Sequence, residues 1–481
     1  MTPADEVPAP SVRTLPGRTV AGPPAVRPVP PGTRKSAGMD EPPAPLSWSA
    51  GRAFGLLLFV LLFGSAAVLP WRLNWVHVWG EWPVLELSLV AIPVLLLAVR
   101  PWRSRLLRAR NGIALLALAA LAAGLWAAPR SPMTDRTFVH LALIVVAGYL
   151  CARLVAGERS LWRPLALVIA VVAGLVALGG LLEVVTGTNP LYEASADNPY
   201  YAMYRAERRA ISTQFNPAPL GSFLVMAWPF AAWLGASRER RFRLPGLAAL
   251  ALIVPATLLT YSRGALLGLV LSVALALLLA RRQRQLLALA GLAAIVVLLA
   301  SHLPYPFNKY GTQGFLEGGG VTSVKRLSRL EMTGAILADR PLTGLGFHGS
   351  RNEFDRYYPP QRPSWGKGGR VLDNAYLTVL AETGLLGSVA LAAFLFVELA
   401  RGALAWRRSR GGFLGAGLTG ACGILVTAAG YDLVYWSGPA MFCVLVLGLV
   451  SGAADAAEPD AIGGLRRAAR DVTGRAAAGA S

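Results

Sequence analysis

The chain has 481 residues, of which 54% are hydrophobic and only 15% charged, against roughly 25% charged residues in an ordinary soluble domain. The deficit is concentrated in long apolar runs such as 54–69 and 286–300, close to the span length a bilayer core demands of a helix, and this excludes a soluble globular fold. The formal charge of +20 does not argue for nucleic acid, because no basic nucleic-acid-binding module is present and the arginines sit at the ends of apolar runs.

Residues 1–50 are rich in proline with little apolar content and read as a disordered cytoplasmic tail that cannot bury a core. They lack the apolar stretch of a secretory signal. Twelve spans follow, predicted near 53–69, 83–99, 112–128, 137–155, 164–184, 217–236, 246–262, 264–280, 286–302, 374–400, 413–431 and 439–454. The pair on either side of Arg263 reads as a tight helical hairpin or as one long broken helix. The expected fold class is therefore an all-α polytopic membrane protein of about twelve transmembrane helices with one large extracytoplasmic loop. Residues 51–302 carry helices one to nine, 303–373 the loop, 374–455 helices ten to twelve, and 456–481 a second cytoplasmic tail.

Orientation follows from the links. With the amino terminus inside, one side receives Arg100, Arg103, Arg105, Arg108 and Arg110, then Arg238, Arg240, Arg241 and Arg243. It also receives Arg281, Arg282 and Arg284, then Arg401, Arg407, Arg408 and Arg410. The short links opposite, 70–82, 129–136 and 432–438, carry only Arg72, Arg130 and Arg136. Positive residues mark the cytoplasmic side, so both termini are expected there. Trp71, Trp75, Trp79 and Trp82 then form an outer aromatic belt.

Two outer segments are long, 185–216 and 303–373, and loops of such length in a compact architecture are usually functional or disordered. The second contains a helical pattern, with Leu327, Leu330, Gly334 and Leu337 as an apolar stripe, Thr322 or Ser323 as its cap, and Pro341 as its terminator. It is expected to fold as a cap over the outer face. Cys151, Cys422 and Cys443 all fall in apolar spans and make neither a disulfide framework nor a metal quartet. No residues here have metal-ligand spacing, so neither a metal nor a cofactor is expected.

Several residues could carry chemistry. Arg263, in Thr260-Tyr261-Ser262-Arg263-Gly264, stands between two apolar runs; it either snorkels to the surface or awaits an anionic ligand, for which the planar guanidinium fork is suited. Lys325, Arg326 and Arg329 cluster at the start of the loop helix, where cations are mildly unfavourable with the helix dipole. Pro341-Leu342-Thr343-Gly344-Leu345-Gly346-Phe347 resembles half of a dinucleotide fingerprint, but no strand precedes it. It reads as a structural turn or as a backbone nest for phosphate. Asp373 and Asn374 open a long span, where one of them caps the helix and the pair could orient a sugar hydroxyl. Glu382 lies deeper in the same helix and needs a proton or a partner. Arg209, His302, His348, Tyr357 and Tyr358 are further polar candidates.

Taken in order, these motifs resemble the O-antigen ligase and polymerase superfamily of bacterial envelope glycosyltransferases. That family's closing signature, His-Asn, nine residues, then Gly-x-x-Gly, is matched by Asp373-Asn374 through Gly384-Leu385-Leu386-Gly387. Arg209 through Gln214-Phe215-Asn216-Pro217, the Tyr261–Gly264 turn, and Arg329 to Gly346 are similar to its earlier elements. The resemblance implies a fold like that of the C-type membrane glycosyltransferases and an undecaprenyl-pyrophosphate-linked glycan as donor. It implies that Arg263 and Arg329 hold the pyrophosphate, with Arg326 beside them. The signature histidine would act as general base in an inverting, metal-independent displacement, and Asp373 takes its place here. Asp-Asn versions look more like polymerases than ligases, so polymerisation of lipid-linked repeat units is favoured, with a glycan or lipid acceptor. Membrane lipids and a chain-length regulator are the candidate partners, and no nucleic acid. The competing expectation is a transporter or flippase of lipid-linked oligosaccharide, disfavoured because no internal duplication is visible.

Overall fold

The computed structural model describes residues 50–68, 77–78, 82–83, 148–189, 199–279, 319–359, 371–436 and 438–457. The described chain is helical apart from two-residue strands, His77–Val78 paired antiparallel with Trp82–Pro83. Its helices are α1 (Ala50–Val68), α2 (148–156), α3 (Trp162–Thr186), α4 (Pro199–Ala206), α5 (Pro217–Gly235), α6 (Arg240–Leu259) and α7 (Arg263–Leu279). After them come α8 (Gly319–Asp339), the single turns α9 (Gly349–Asn352) and α10 (Phe354–Tyr357), then α11 (Ala375–Ser409), α12 (Gly412–Ala428) and α13 (Gly438–Ala457).

Among the described residues, five helices are long and apolar enough to cross a membrane: α3, α5, α6, α11 and α13. Shorter apolar helices lie in α1, α7 and α12. The expected spans near 83–99, 112–128 and 286–302, the tail 1–49 and the C-terminal residues 458–481 lie outside the described residues, so the count of twelve remains an expectation.

The starts and stops have local causes. Asn216, extended, accepts from the Ala218 amide at 3.0 Å while Pro217 takes the first helical position, where its missing N–H costs nothing. Gly187 closes α3 in the left-handed region, its amide on the Glu183 carbonyl. Helix α5 is the axis of the bundle, and close packing is set by small residues along it. A methyl at Gly221 would stand 2.4 Å from the Ala265 side chain, and one at Gly246 would stand 2.5 Å from the Gly235 amide.

These contacts settle the reading of the chain around Arg263. Gly221 of α5 lies against Thr260 and Ala265, while Gly235 at its far end meets Gly246. Helix α6 thus runs antiparallel to α5. Helix α7 runs parallel to it, because Val225 reaches Gly268 and the Trp228 indole donates to the Ser272 hydroxyl at 2.9 Å. The two are a hairpin turned at Thr260–Ser262, with Tyr261 left-handed (φ 48°).

The bundle has two unlike ends. At one end Arg153 and Arg401 share Asp455 at 3.0 and 2.6 Å, Arg401 also meets Glu398, and Arg163 and Arg241 share Glu239. At the other end gather the close of α1, the α6–α7 turn, the start of α11, and the link between α12 and α13. There Gln214 donates to the Ala66 carbonyl at 3.2 Å. Residues 319–359 fold against this second end, where Met332, Ile336, Leu345 and Phe354 share a small core with Leu372 and with Ala381 of α11.

Candidate active site

The loop helix α8 brings Arg329 to the start of α11. Its packed face is Ser328, Met332, Thr333 and Ile336, all buried, and Arg329 projects from within that face, between Ile336 and Thr333. The expected stripe of Leu327, Leu330, Gly334 and Leu337 faces away from this packed side. Leu327 and Leu330 are about half exposed, at 48% and 55%, and a methyl at Gly334 would meet none of the described residues within 4 Å. The expected cap is also displaced, since the helix begins at Gly319 and Thr322 and Ser323 fall inside it. Arg340 and Pro341 follow its last residue, as expected.

Arg329 forms an ion pair with Asp373 at 2.6 Å, the arginine 12% and the aspartate 49% exposed. A partly exposed pair of this kind stabilises a fold by about 1 kcal/mol or less. Burying Met332, Ile336 and Phe354 contributes roughly 1.5–3 kcal/mol each, so the small core, not the ion pair, holds the loop in place. Arg326, one helical turn earlier, is exposed.

Asp373 is held in a left-handed conformation (φ 48°) by a residue that sequence reasoning missed. The Asp432 carboxylate accepts the Asp373 and Asn374 amides, both at 3.0 Å, and the Thr378 hydroxyl. Asp432 is 4% exposed. Burial raises its pKa and the Asp373 carboxylate raises it further, while the Thr378 hydroxyl and the two amides oppose them. Asn374 is the α11 cap, accepting from the Tyr376 and Leu377 amides at 3.0 and 3.2 Å. The only sequence signal for Asp432 was an acid standing in a short outer link.

Glu382 finds partners for its charge or proton. Its Oε1 accepts from the Ser350 hydroxyl at 2.6 Å and from the Tyr435 phenol. Burial, then the Glu382 carboxylate, raises the Tyr435 pKa and keeps the phenol protonated. His348 stacks on Tyr435 with ring centroids 4.5 Å apart. Glu382, Ser350, His348 and Tyr435 thus tie the loop to the span and to the α12–α13 link.

Burial, with Arg351 adding to it, lowers the His348 pKa to about 4. Between that value and the ordinary pKa near 6.5 the unfolded chain binds the extra proton, so stability falls as pH drops through this window. A His348→Gln variant is expected to flatten the fall, which melting curves at pH 7, 5.5 and 4.5 would measure.

The Pro341–Gly346 turn enters a break in α11. At Gly384 the backbone leaves the helix (φ 61°, ψ −163°). The freed Ala381 and Glu382 carbonyls accept the Leu345 and Gly346 amides at 2.9 and 2.8 Å, and the Leu385 and Leu386 amides donate to the Pro341 and Leu342 carbonyls at 2.9 and 3.2 Å. The amides of Leu345 and Gly346, which a phosphate nest would use, are thus committed to this joint. The structural-turn reading is the correct one.

Arg263 opens α7, half-buried, and its neighbour Gly264 lies against the Thr427 carbonyl and Gly430. That turn leads within two residues to Asp432, and so to Asp373. The positive end of the α7 dipole adds to the guanidinium, which favours an anion there. Arg209 plays a supporting part: its Nε donates to the Thr260 carbonyl at 3.0 Å, its guanidinium pairs with Glu207 at 3.4 Å, and it lies over the Tyr204 ring. It fixes the turn that carries Arg263. Tyr357 donates to Asp339 and Tyr358 stacks on Phe354, while His302 lies outside the described residues. Among the described residues no three His, Cys, Asp or Glu groups converge as a metal site.

A family model described as O-antigen ligase matches residues 247–392. That segment is similar to an O-antigen ligase domain. Its bounds take in the α6–α7 hairpin with Arg263, the loop helix with Arg329, the Pro341–Gly346 joint and the Asp373–Gly387 signature. The match, with the apolar helices, supports in general a membrane protein of glycosyltransferase-like, ligase or polymerase type. Arg209, Asp432 and Tyr435, which shape the site, lie outside the matched residues. No curated protein matches the chain significantly.

Proposed function

We propose that the protein polymerises undecaprenyl-pyrophosphate-linked glycan units at the outer face of the cytoplasmic membrane, as an inverting, metal-independent glycosyltransferase. The observation that carries the reading is the Arg329–Asp373 pair at 2.6 Å, which puts a diphosphate-binding cation and a proton-accepting carboxylate at one point. In the reaction the acceptor hydroxyl oxygen attacks the anomeric carbon and its proton passes to Asp373. The bond to the pyrophosphate breaks, and the electron pair leaves on undecaprenyl pyrophosphate, whose growing charge is stabilised by Arg329, Arg326 and Arg263. A diphosphate arriving at Arg329 competes with Asp373 for the same guanidinium. The carboxylate is then released to the hydroxyl only once the donor is seated, which guards the donor against idle hydrolysis.

The loop end faces outward in this reading, because the opposite end holds the arginine-rich links. Both termini are then cytoplasmic. The Asp373 variant of the signature favours a glycan acceptor over the lipid acceptor of a ligase, and a chain-length regulator would act on the polymer formed.

Purified protein in liposomes with radiolabelled lipid-linked glycan tests the reading. Extension into longer lipid-linked chains is expected. Passage of the glycan across the bilayer without a new glycosidic bond would replace this reading with a flippase. In the same assay Arg263→Ala should slow transfer by about 10²-fold or more, as loss of an oxyanion-type donor does. Arg263→Lys should retain part of the rate, since it keeps charge and loses the fork. Unchanged rates in Arg263→Ala would assign that residue to interface anchoring alone.

A further inference from the structure

The outward face of α8 has no described protein against it. Leu327 and Leu330 are 48% and 55% exposed, no described residue stands within 4 Å of a methyl placed at Gly334, and Leu342 just past the helix is 57% exposed. At 100° per residue Leu327, Leu330, Gly334 and Leu337 occupy one sector, diametrically across from Met332 and Ile336. Arg326 lies along one border of that sector, and Arg329, 12% exposed, lies beyond it on the packed side that meets Asp373. Glu331 and Ala335, both exposed, lie along the other. A helix in water on its free side would carry polar residues where these leucines stand.

The stripe is continuous with an open apolar flank of a helix long and apolar enough to span. The Leu342 carbonyl accepts the Leu386 amide at 3.2 Å, so Leu342 sits beside the flank of α11. That flank is apolar and open: Leu385, Leu386 and Val389 are 47%, 55% and 64% exposed, on a helix long and apolar enough to span.

We propose that α8 is an interfacial helix, its Leu327–Leu330–Leu337 stripe seated in the outer leaflet at the boundary of headgroups and acyl chains. The occupant of the stripe is the bilayer itself. Interfacial helices of this kind sink their apolar face about 5–10 Å and keep a basic flank at headgroup level. The seating sets Arg326 and Arg329 at the depth where the diphosphate of a membrane-borne donor lies. It deepens the proposed function by giving the site a depth, and it rests on α11 crossing a bilayer. It does not need the transfer chemistry, so its test can fail while transfer stands.

The test uses the full chain in bilayer nanodiscs of phosphatidylethanolamine and phosphatidylglycerol, with Cys151, Cys422 and Cys443 replaced by alanine. Single spin labels are placed through Leu327→Cys, Leu330→Cys, Glu331→Cys and Ala335→Cys. Labels at 327 and 330 are expected to collide with oxygen over an aqueous nickel chelate by a ratio about fivefold above those at 331 and 335, as hydrocarbon seating of one face requires. Equal, water-like ratios at all four positions overturn the proposal. So does protection of 327 and 330 from both reagents, which would mean that protein covers the stripe. If the cysteine-free chain does not fold, benzoylphenylalanine at 327 and at 331 in the native-cysteine chain decides the matter. Lipid adducts at 327 and none at 331 support the seating; adducts only to protein, or none, overturn it.

Discussion

Arg329→Ala is expected to lower glycan transfer by about 10²–10³-fold, the range found when one preorganised charge-stabilising donor is removed. Stability should move by no more than about 1 kcal/mol, because the pair it breaks is partly exposed and the loop is held by the apolar core it shares with α11. Asp373→Asn should cost about 10²-fold or more through loss of the proton acceptor, again with little change in melting. The informative variant is the exchange of the two, Arg329→Asp with Asp373→Arg. It restores an ion pair, yet it moves the cation from the loop helix to the cap of α11. A residue pair that mattered only for docking the loop would work either way round. Transfer by the exchanged protein at wild-type rates, measured with lipid-linked glycan in liposomes, would remove both residues from the reaction.

Gly384→Ala is expected to be among the most destabilising single changes in the chain. Its backbone occupies φ 61°, ψ −163°, a region essentially closed to residues with a side chain. The added methyl would also stand 2.4 Å from the Leu342 carbonyl oxygen and 2.6 Å from the Thr343 amide nitrogen. Backbone strain and overlap together amount to about 3–5 kcal/mol, a large part of the ~5–15 kcal/mol that keeps a typical domain folded. Gly344 meets the same joint from the other side, its Cβ position 2.5 Å from the Ala381 carbonyl. The two glycines interlock, so relief at one does not relieve the other. Thermal melting in detergent and limited proteolysis of residues 319–359 would read the effect; wild-type values in Gly384→Ala would show that the joint is not formed.

The apolar runs, the arginine-rich links and a cap at Asp373–Asn374 were legible because each acts locally and at full strength within a few residues. The grouping of Arg329 with Asp373 was legible only through resemblance to a family, since 44 positions separate the two numbers. The packed face of α8 was not legible, because the leucine stripe was the conspicuous apolar pattern while Met332 and Ile336, with Ser328 and Thr333 between polar neighbours, form the packed side. Asp432 was illegible because its work is on two amides 59 and 58 positions earlier. Gly384 looked like a tolerable glycine in a span, and only the carbonyl it faces shows otherwise.

The mooring of Asp373 has a consequence for how this site can be rebuilt. The carboxylate that grips its backbone belongs to residue 432, forty positions beyond the last residue of the matched segment at 392. Transplanting 247–392 into a foreign bundle would carry across both arginines and the aspartate, yet leave the aspartate adrift. Chimaeras of this chain should therefore take α11, α12 and α13 from a single parent.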